Sequence, residues 1–205
     1  MPSHTPLHIG IFLFDDVEAL DFAGPYEVFT TAARVACRRH ATAPGLFTVS
    51  AIAASRQTAR ARAGLQLVPD HTFGSHPAVD VLIVPGGEVT AELHKPDVIA
   101  WIAQTASQAQ ITASVCTGAF LLAQAGVLTQ GPATTHWEDL ADLQTMFPAL
   151  RVVGDQRWVD TGRVLSSAGI SAGIDMCLHL VARLHSHELA QDTARQMDHP
   201  WQAQA

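Results

Sequence analysis

Clustered positive charge is what this sequence most clearly lacks. Twelve Lys and Arg stand against 19 Asp and Glu in 205 residues, a formal net charge of -7. A nucleic-acid surface needs Lys and Arg grouped against phosphates. The nearest basic runs are Arg38-Arg39 and the set Arg56, Arg60 and Arg62. They read better as a helix-end charge and a solvated edge strand. No stretch approaches the roughly 20 apolar residues of a membrane span. Met1 to Gly10 has neither a charged n-region nor a long apolar h-region, which argues against secretion. Cys37, Cys116 and Cys177 are far apart, with no CxxC pair. That excludes a disulfide framework and a zinc site and points to a reducing, cytoplasmic setting. The phosphate-binding patterns GxGxxG and GxxxxGK[ST] are also missing. Eleven histidines invite a metal reading, and His185 and His187, near His179 and Glu188, form their best cluster. An H-x-H pair at a helix boundary points its rings apart, however, and no second pair completes a site.

What is present is apolar material in alternating patterns. Apolar residues make up 48% of the chain and charged ones 15%, so it is globular, and its length suits a single domain over 1–205. His8–Phe14, Phe47–Ala53, Val79–Val84 and Gln110–Val115 are short, nearly continuous apolar runs, as expected of strands covered on both faces. Between and after them the spacing predicts helices over Asp21–Ala36, with Pro25 in the first turn, then Asp97–Ser107, Gly118–Ala125, Glu138–Met146, Ile170–Leu184 and Glu188–Met197. Gln57–Val68 reads as a polar edge hairpin, Ala133–Thr135 as a strand, and Arg151–Ser167 as short strands turning at Asp160-Thr161-Gly162. Trp137 and Trp158 suit core or interface positions, and Cys37 and Cys177 lie within helix patterns. The alternation predicts an α/β fold, a mostly parallel sheet with helices on both faces. In such sheets sites gather at the carboxyl ends of strands.

Three features fall at those ends: the acidic loop Asp15–Asp21, Gly86-Gly87 and Cys116. Ala113 to Phe120 reads as strand, sharp turn and helix, the form of a nucleophile elbow, with Gly118 and Ala119 supplying the small neighbours that close approach demands. A helix start favours a thiolate at Cys116. A buried, inert cysteine is the competing reading, since free cysteine is among the most buried residue types. Gly86 and Gly87 suit a backbone that points N–H groups at an anion. Asp21 suits a helix N-cap, and any carboxylate of this loop, Asp15, Asp16, Glu18 or Asp21, is placed to reach the site.

Together these segments resemble the DJ-1/PfpI superfamily. The resemblance rests on Ile9–Phe14, Leu20-Asp21-Phe22-Ala23-Gly24-Pro25, Val84-Pro85-Gly86-Gly87, Val115-Cys116-Thr117-Gly118-Ala119, Thr134-Thr135-His136-Trp137 and Ser167–Asp175, in the family's order and over almost the whole chain. It implies a flavodoxin-like three-layer sandwich of the class I glutamine amidotransferase-like type. Within it, LDxxGP, VCTG, TTHW and AGxxAGID are most similar to isocyanide hydratases and to the ligand-sensing domains of AraC-type regulators. Thr117 stands where the peptidase branch has a histidine, which removes that branch's base.

The resemblance implies hydration of an isocyanide to an N-formamide without a cofactor or metal. Cys116 would attack the terminal carbon to give a thioimidate, and Asp21 would act as general acid and base. That carboxyl should be raised in pKa if its surroundings are dry. Thr117, Gly86, Gly87 and Gly118 would orient the intermediate, and Ala168, Gly169 and Ile170 would form the pocket wall. His136 is expected to be an accessory or packing residue. The resemblance further implies a homodimer that takes a small molecule as its partner. A sensing domain is one alternative, although Met197–Ala205 is too short for the two helix-turn-helix units of a regulator. A stress-response role at the same cysteine, redox sensing or glyoxalase-like, is another.

Overall fold

The computed structural model describes residues 5–39 and 45–204. The first four residues of the Met1–Gly10 stretch and the side chain of Arg39 lie outside this description. Strand β1 (Leu7–Phe12) leads into helix α1 (Ala19–Arg39) and strand β2 (Phe47–Ala53). Short strands β3 (Ala59–Arg60), β4 (Gln66–Leu67) and β5 (His71–Thr72) follow. Then come β6 (Val81–Val84), α2 (Thr90–Leu93), α3 (Pro96–Gln108), β7 (Ile111–Val115) and α4 (Gly118–Gln124). The last third holds β8 (Gly131–Ala133), a 3-10 turn at Trp137–Asp139, α5 (Leu140–Met146), β9 (Leu150–Val152), β10 (Trp158–Asp160), β11 (Val164–Ser167), α6 (Ala172–Leu184) and α7 (His187–Gln196).

Seven strands form the main sheet in the order β10-β11-β7-β6-β1-β2-β5. Every pairing is parallel except that of β10 with β11. The chain builds outward from β1 through β2, then returns to β6 and builds the other way, so the order reverses between β1 and β6. The central strands are apolar on both faces because both faces are covered. Ile9, Ile11, Val81, Leu82, Ile83 and Val84 are all completely buried. Helices α1, α6 and α7 pack on one another, while α2, α3 and α4 form a second group. This is the flavodoxin-like sandwich that the sequence predicts.

Several elements depart from expectation. Helix α1 starts at Ala19, so Pro25 lies inside it and not in its first turn. Lacking an N–H, Pro25 leaves the Asp21 carbonyl without its helical donor. Among the described residues the Gln57–Val68 hairpin forms its own two-stranded ribbon (β3 with β4), bonded to the loop at Asp16 and Val17, and the edge of the main sheet is β5. Likewise β8 ends at Ala133 and pairs with β9 in a separate ribbon, leaving Thr134 and Thr135 outside any strand. Helix α6 begins at Ala172, because Ile170 has a left-handed backbone with φ 46°. Trp158 is a core residue, whereas Trp137 is 71% exposed on its 3-10 turn. Cys177 is buried and Cys37 exposed. Among the described residues no helix is long and apolar enough to cross a membrane.

The buried central strands should dominate stability. Leu82→Ala, at a completely buried position in β6, is expected to lower unfolding free energy by about 2–5 kcal/mol. Val68→Ala, where the side chain is 72% exposed, should change it by less than about 0.5 kcal/mol. Urea denaturation of both variants checks the contrast.

Candidate active site

Four neighbouring strands of the main sheet, β11, β7, β6 and β1, deliver their carboxyl ends to one place. Cys116 follows β7 and turns the chain into α4 with φ 55°, a left-handed conformation uncommon outside glycine. Three hydrogen bonds hold this elbow. The Cys116 N–H donates to the Ser167 carbonyl at 3.2 Å, and the Ala119 N–H donates to the Cys116 carbonyl at 3.3 Å. The Thr135 hydroxyl donates to that same carbonyl at 2.8 Å. The elbow also depends on a close approach at Gly118, where a methyl group would collide with the Val84 carbonyl of β6.

Asp21 resolves the choice among the loop carboxylates. Its side chain is completely buried, and Oδ2 accepts the Gly86 N–H at 3.1 Å. It lies in the first turn of α1 and does not act as the helix N-cap. Oδ1 is buried with no close hydrogen bond. Of the competitors, Asp15 accepts the Arg60 N–H at 2.8 Å and Glu18 lies 3.7 Å from Arg62.

Electrostatics couple this carboxyl to the thiol. Burial pushes Asp21 up to about 7, against the pull of the Gly86 N–H; nearby Glu18 raises it and the Cys116 thiol lowers it. Cys116, 7% exposed, is pushed up to about 12 by burial and then by the Asp21 charge. The N–H groups of Thr117 and Ile170 hydrogen-bond the sulfur and pull its pKa down, while Asp139 adds a smaller rise. The expected thiolate is therefore not the resting state. Desolvation and the neighbouring carboxylate outweigh what the start of the short helix α4 contributes. At neutral pH the proton sits on sulfur, beside a carboxyl poised to accept or release one.

The remaining predicted residues divide. Thr117 and Gly87 exchange two hydrogen bonds of 2.9 Å, the Thr117 hydroxyl donating to the Gly87 carbonyl and accepting the Gly87 N–H. This corrects the expectation for the glycine turn, since the Gly86 and Gly87 amides are already held by Asp21 and Thr117. The Gly86 Cα lies so close that an added methyl would come within 2.9 Å of Asp21 Oδ2. Turn and elbow are thus latched together, and the donors at the sulfur are the Thr117 and Ile170 amides. His136 packs its ring on Gly169, with Nδ1 3.5 Å from Asp139 Oδ2 and 3.7 Å from Glu138 Oε2. It supports the loop that carries Ile170. Ala168 donates its N–H to the Arg157 carbonyl at 2.9 Å.

Sequence reasoning left Thr135, Arg157, Asp139 and Asp175 without roles, although Thr135 and Asp175 lie inside motifs it quoted. A cleft of about 380 Å³ opens beside the elbow, with Gly87, Thr117, Val89, Leu93, Phe120 and Met146 among its walls and Glu88, Asp139 and Asp142 as its charges. Among the described residues no group of three or more His, Cys, Asp and Glu is arranged to hold a metal ion. His179 bonds Asp160 at 2.8 Å, His185 bonds Ser186 at 3.1 Å, and His187 lies against Trp201.

Comparisons with known proteins converge on this architecture. The model of the DJ-1/PfpI family matches residues 8–183. An isonitrile hydratase of Pseudomonas putida is 35% identical over 194 residues, which cover 94% of this chain and 78% of that protein. The HTH-type transcriptional regulator GbdR of Pseudomonas aeruginosa is 31% identical over 92% of this chain, which spans only 49% of the regulator's length. The crystal structure of a THiJ/PfpI family protein from Pseudomonas syringae superposes with a TM-score of 0.84 at 26% identity, covering 97% of this chain and 77% of that one.

The raised Asp21 pKa has a thermodynamic signature. The unfolded carboxyl ionises near 3.8 and the folded one near 7, so folding favours the protonated form. Its contribution is fully present below about pH 4 and is lost as pH rises through 7. Asp21→Asn removes that loss. The variant is expected to exceed the parent chain in stability by on the order of 1–3 kcal/mol at pH 8, with the gap closing by pH 4. Chemical denaturation at the two pH values measures it.

Proposed function

The chain belongs to the DJ-1/PfpI family, and within it we propose that it hydrates isonitriles (isocyanides), R–N≡C, to N-formamides at Cys116. The observation that carries this reading is the pairing of a buried, protonated thiol with a buried carboxyl of pKa near 7. Likeness to the isonitrile hydratase over most of both chains supports it. An isonitrile is neutral overall and its reacting carbon is slim and terminal, which suits a sulfur with little exposure.

Because the thiol is protonated at rest, S–C bond formation is coupled to loss of its proton to Asp21. Oδ2 stays bound to Gly86 and Oδ1 is free to carry the proton. The proton passes to the same terminal carbon, giving the thioimidate Cys116–S–CH=N–R. Water then adds across the C=N bond, its oxygen to carbon and a proton to nitrogen. Breakage of the C–S bond releases R–NH–CHO as the hydroxyl proton returns, through Asp21, to sulfur. The sum is one water added, and neither a redox step nor a metal enters the sequence. Charge building on the sulfur is met by the Thr117 and Ile170 amides. The cleft beside Thr117 takes the R group. Its apolar walls suit a hydrocarbon substituent, and its three carboxylates disfavour an anionic one.

Likeness to GbdR supports a second reading, in which the same pocket senses a ligand. Cys116-dependent turnover separates the two. A redox-sensing thiol is less well supported, since oxidation follows thiolate character and exposure, and this sulfur has little of either.

Cys116→Ala and Asp21→Asn are each expected to abolish hydration of a simple aryl isocyanide while remaining folded by circular dichroism. Full turnover in either variant refutes the mechanism. Among substrates, a benzyl isocyanide bearing a carboxylate should show kcat/KM at least about tenfold below its neutral parent, the factor that 1.4 kcal/mol of repulsion carries. Formamide release, followed by chromatography, gives both rates.

A further inference from the structure

Ile170 presents its amide to the Cys116 sulfur from a backbone conformation that a β-branched residue rarely adopts. The loop closes a turn around it, the Ala172 N–H donating to the Gly169 carbonyl and the Gly173 N–H to the Ile170 carbonyl, both at 3.2 Å, and His136 packs on Gly169. Arg157 adds a restraint from outside the loop. Its carbonyl accepts the Ala168 N–H at 2.9 Å on one side of Ile170, and its guanidinium reaches the Ser171 hydroxyl at 3.5 Å on the other. The same guanidinium donates through Nε to Asp175 Oδ2.

Asp175, 1% exposed in the first turn of α6, has its other partners in a distant segment. Its Oδ1 bonds His199 Nε2 at 2.8 Å and accepts the Gln202 N–H at 3.2 Å. The Trp201 indole N–H donates to the Asp175 carbonyl at 3.3 Å. A buried carboxylate persists only when paired and hydrogen-bonded, and here both oxygens are occupied. The arrangement needs an arginine, because a guanidinium fork bonds two acceptors in fixed directions and an ammonium does not.

We propose that Arg157 is a positioning residue that holds the Ile170 amide on the Cys116 sulfur, and that Asp175, anchored by residues 199–202, fixes Arg157 in turn. The segment around His199 thereby adjusts a hydrogen bond inside the active site without touching substrate. The kinetic side of this proposal rests on the hydration reading; the structural side does not.

Two substitutions at Arg157 test it. Arg157→Lys keeps the charge facing Asp175 and should fold, while Arg157→Met removes the contact altogether. In ¹H–¹⁵N spectra of Arg157→Lys the Ile170 amide is expected to shift and to exchange with solvent at least about tenfold faster. With a simple aryl isocyanide kcat should fall on the order of tenfold to a hundredfold at a KM within about twofold, because the amide acts on charge that develops during reaction. His199→Ala should move the same amide in the same direction, to a smaller extent. Parent-like shift and exchange of Ile170 in folded Arg157→Lys would overturn the proposal, and parent-like values in His199→Ala would overturn the part assigned to residues 199–202. A parent chain inert toward isocyanides would defeat the hydration reading, yet the amide measurement would still decide this one.

Discussion

Removal of water from Asp21 and Cys116 is the constraint around which the rest of the structure is arranged. In water a carboxyl would be fully ionised at neutral pH and a thiol slightly so. Buried together they cannot both be charged, and the thiol keeps its proton beside a carboxyl that ionises near 7. Covering two such groups requires that the polar backbone beside them be satisfied locally. Gly86 does this for Asp21, Thr117 and Ile170 do it for the sulfur, and Thr135 and Ser167 do it for the elbow peptide. These donors and acceptors enter from the ends of β6, β7, β8 and β11 or the loops beyond them.

The latch between Thr117 and Gly87 explains why the glycine turn and the elbow behave as one body. Two reciprocal hydrogen bonds and the close approach of Gly118 to Val84 leave no space between β6 and β7 at that level. The turn therefore works by position and not by offering free amides. Its Gly86 amide holds the Asp21 carboxyl, while the Ile170 amide reaches the sulfur from the loop after β11. The 380 Å³ cleft shares Gly87 and Thr117 with this centre and draws its other walls from α2, α4 and α5.

The sheet was largely legible in the sequence because parallel strands covered on both faces leave continuous apolar runs, as at Ile9–Phe12 and Val81–Val84. Strand β5 has only two half-buried residues and α2 is a single turn, too short to give a periodic signal. Ile170 fits the apolar spacing of α6, and nothing local reveals that its backbone is left-handed. Cys116, Asp21 and Thr117 were legible as family motifs at strand ends. The protonation state of the thiol was not, since it follows from desolvation, which needs the assembled neighbourhood. Arg157 escaped notice for a similar reason. Its partners at Ala168, Ser171 and Asp175 lie across a hairpin and a helix start that the sequence does not bring together.

The site draws Asp21, Gly86, Cys116 and Ile170 from four strand ends scattered along most of the chain. A centre with so many non-local contacts is among the last parts of a fold to be completed. Until then Cys116 is a solvated thiol near its ordinary pKa, more open to oxidants and alkylating agents than in the finished molecule. Folding therefore works as protective chemistry for this residue: the thiol is most vulnerable while the chain is nascent and is shielded once its strand ends have come together.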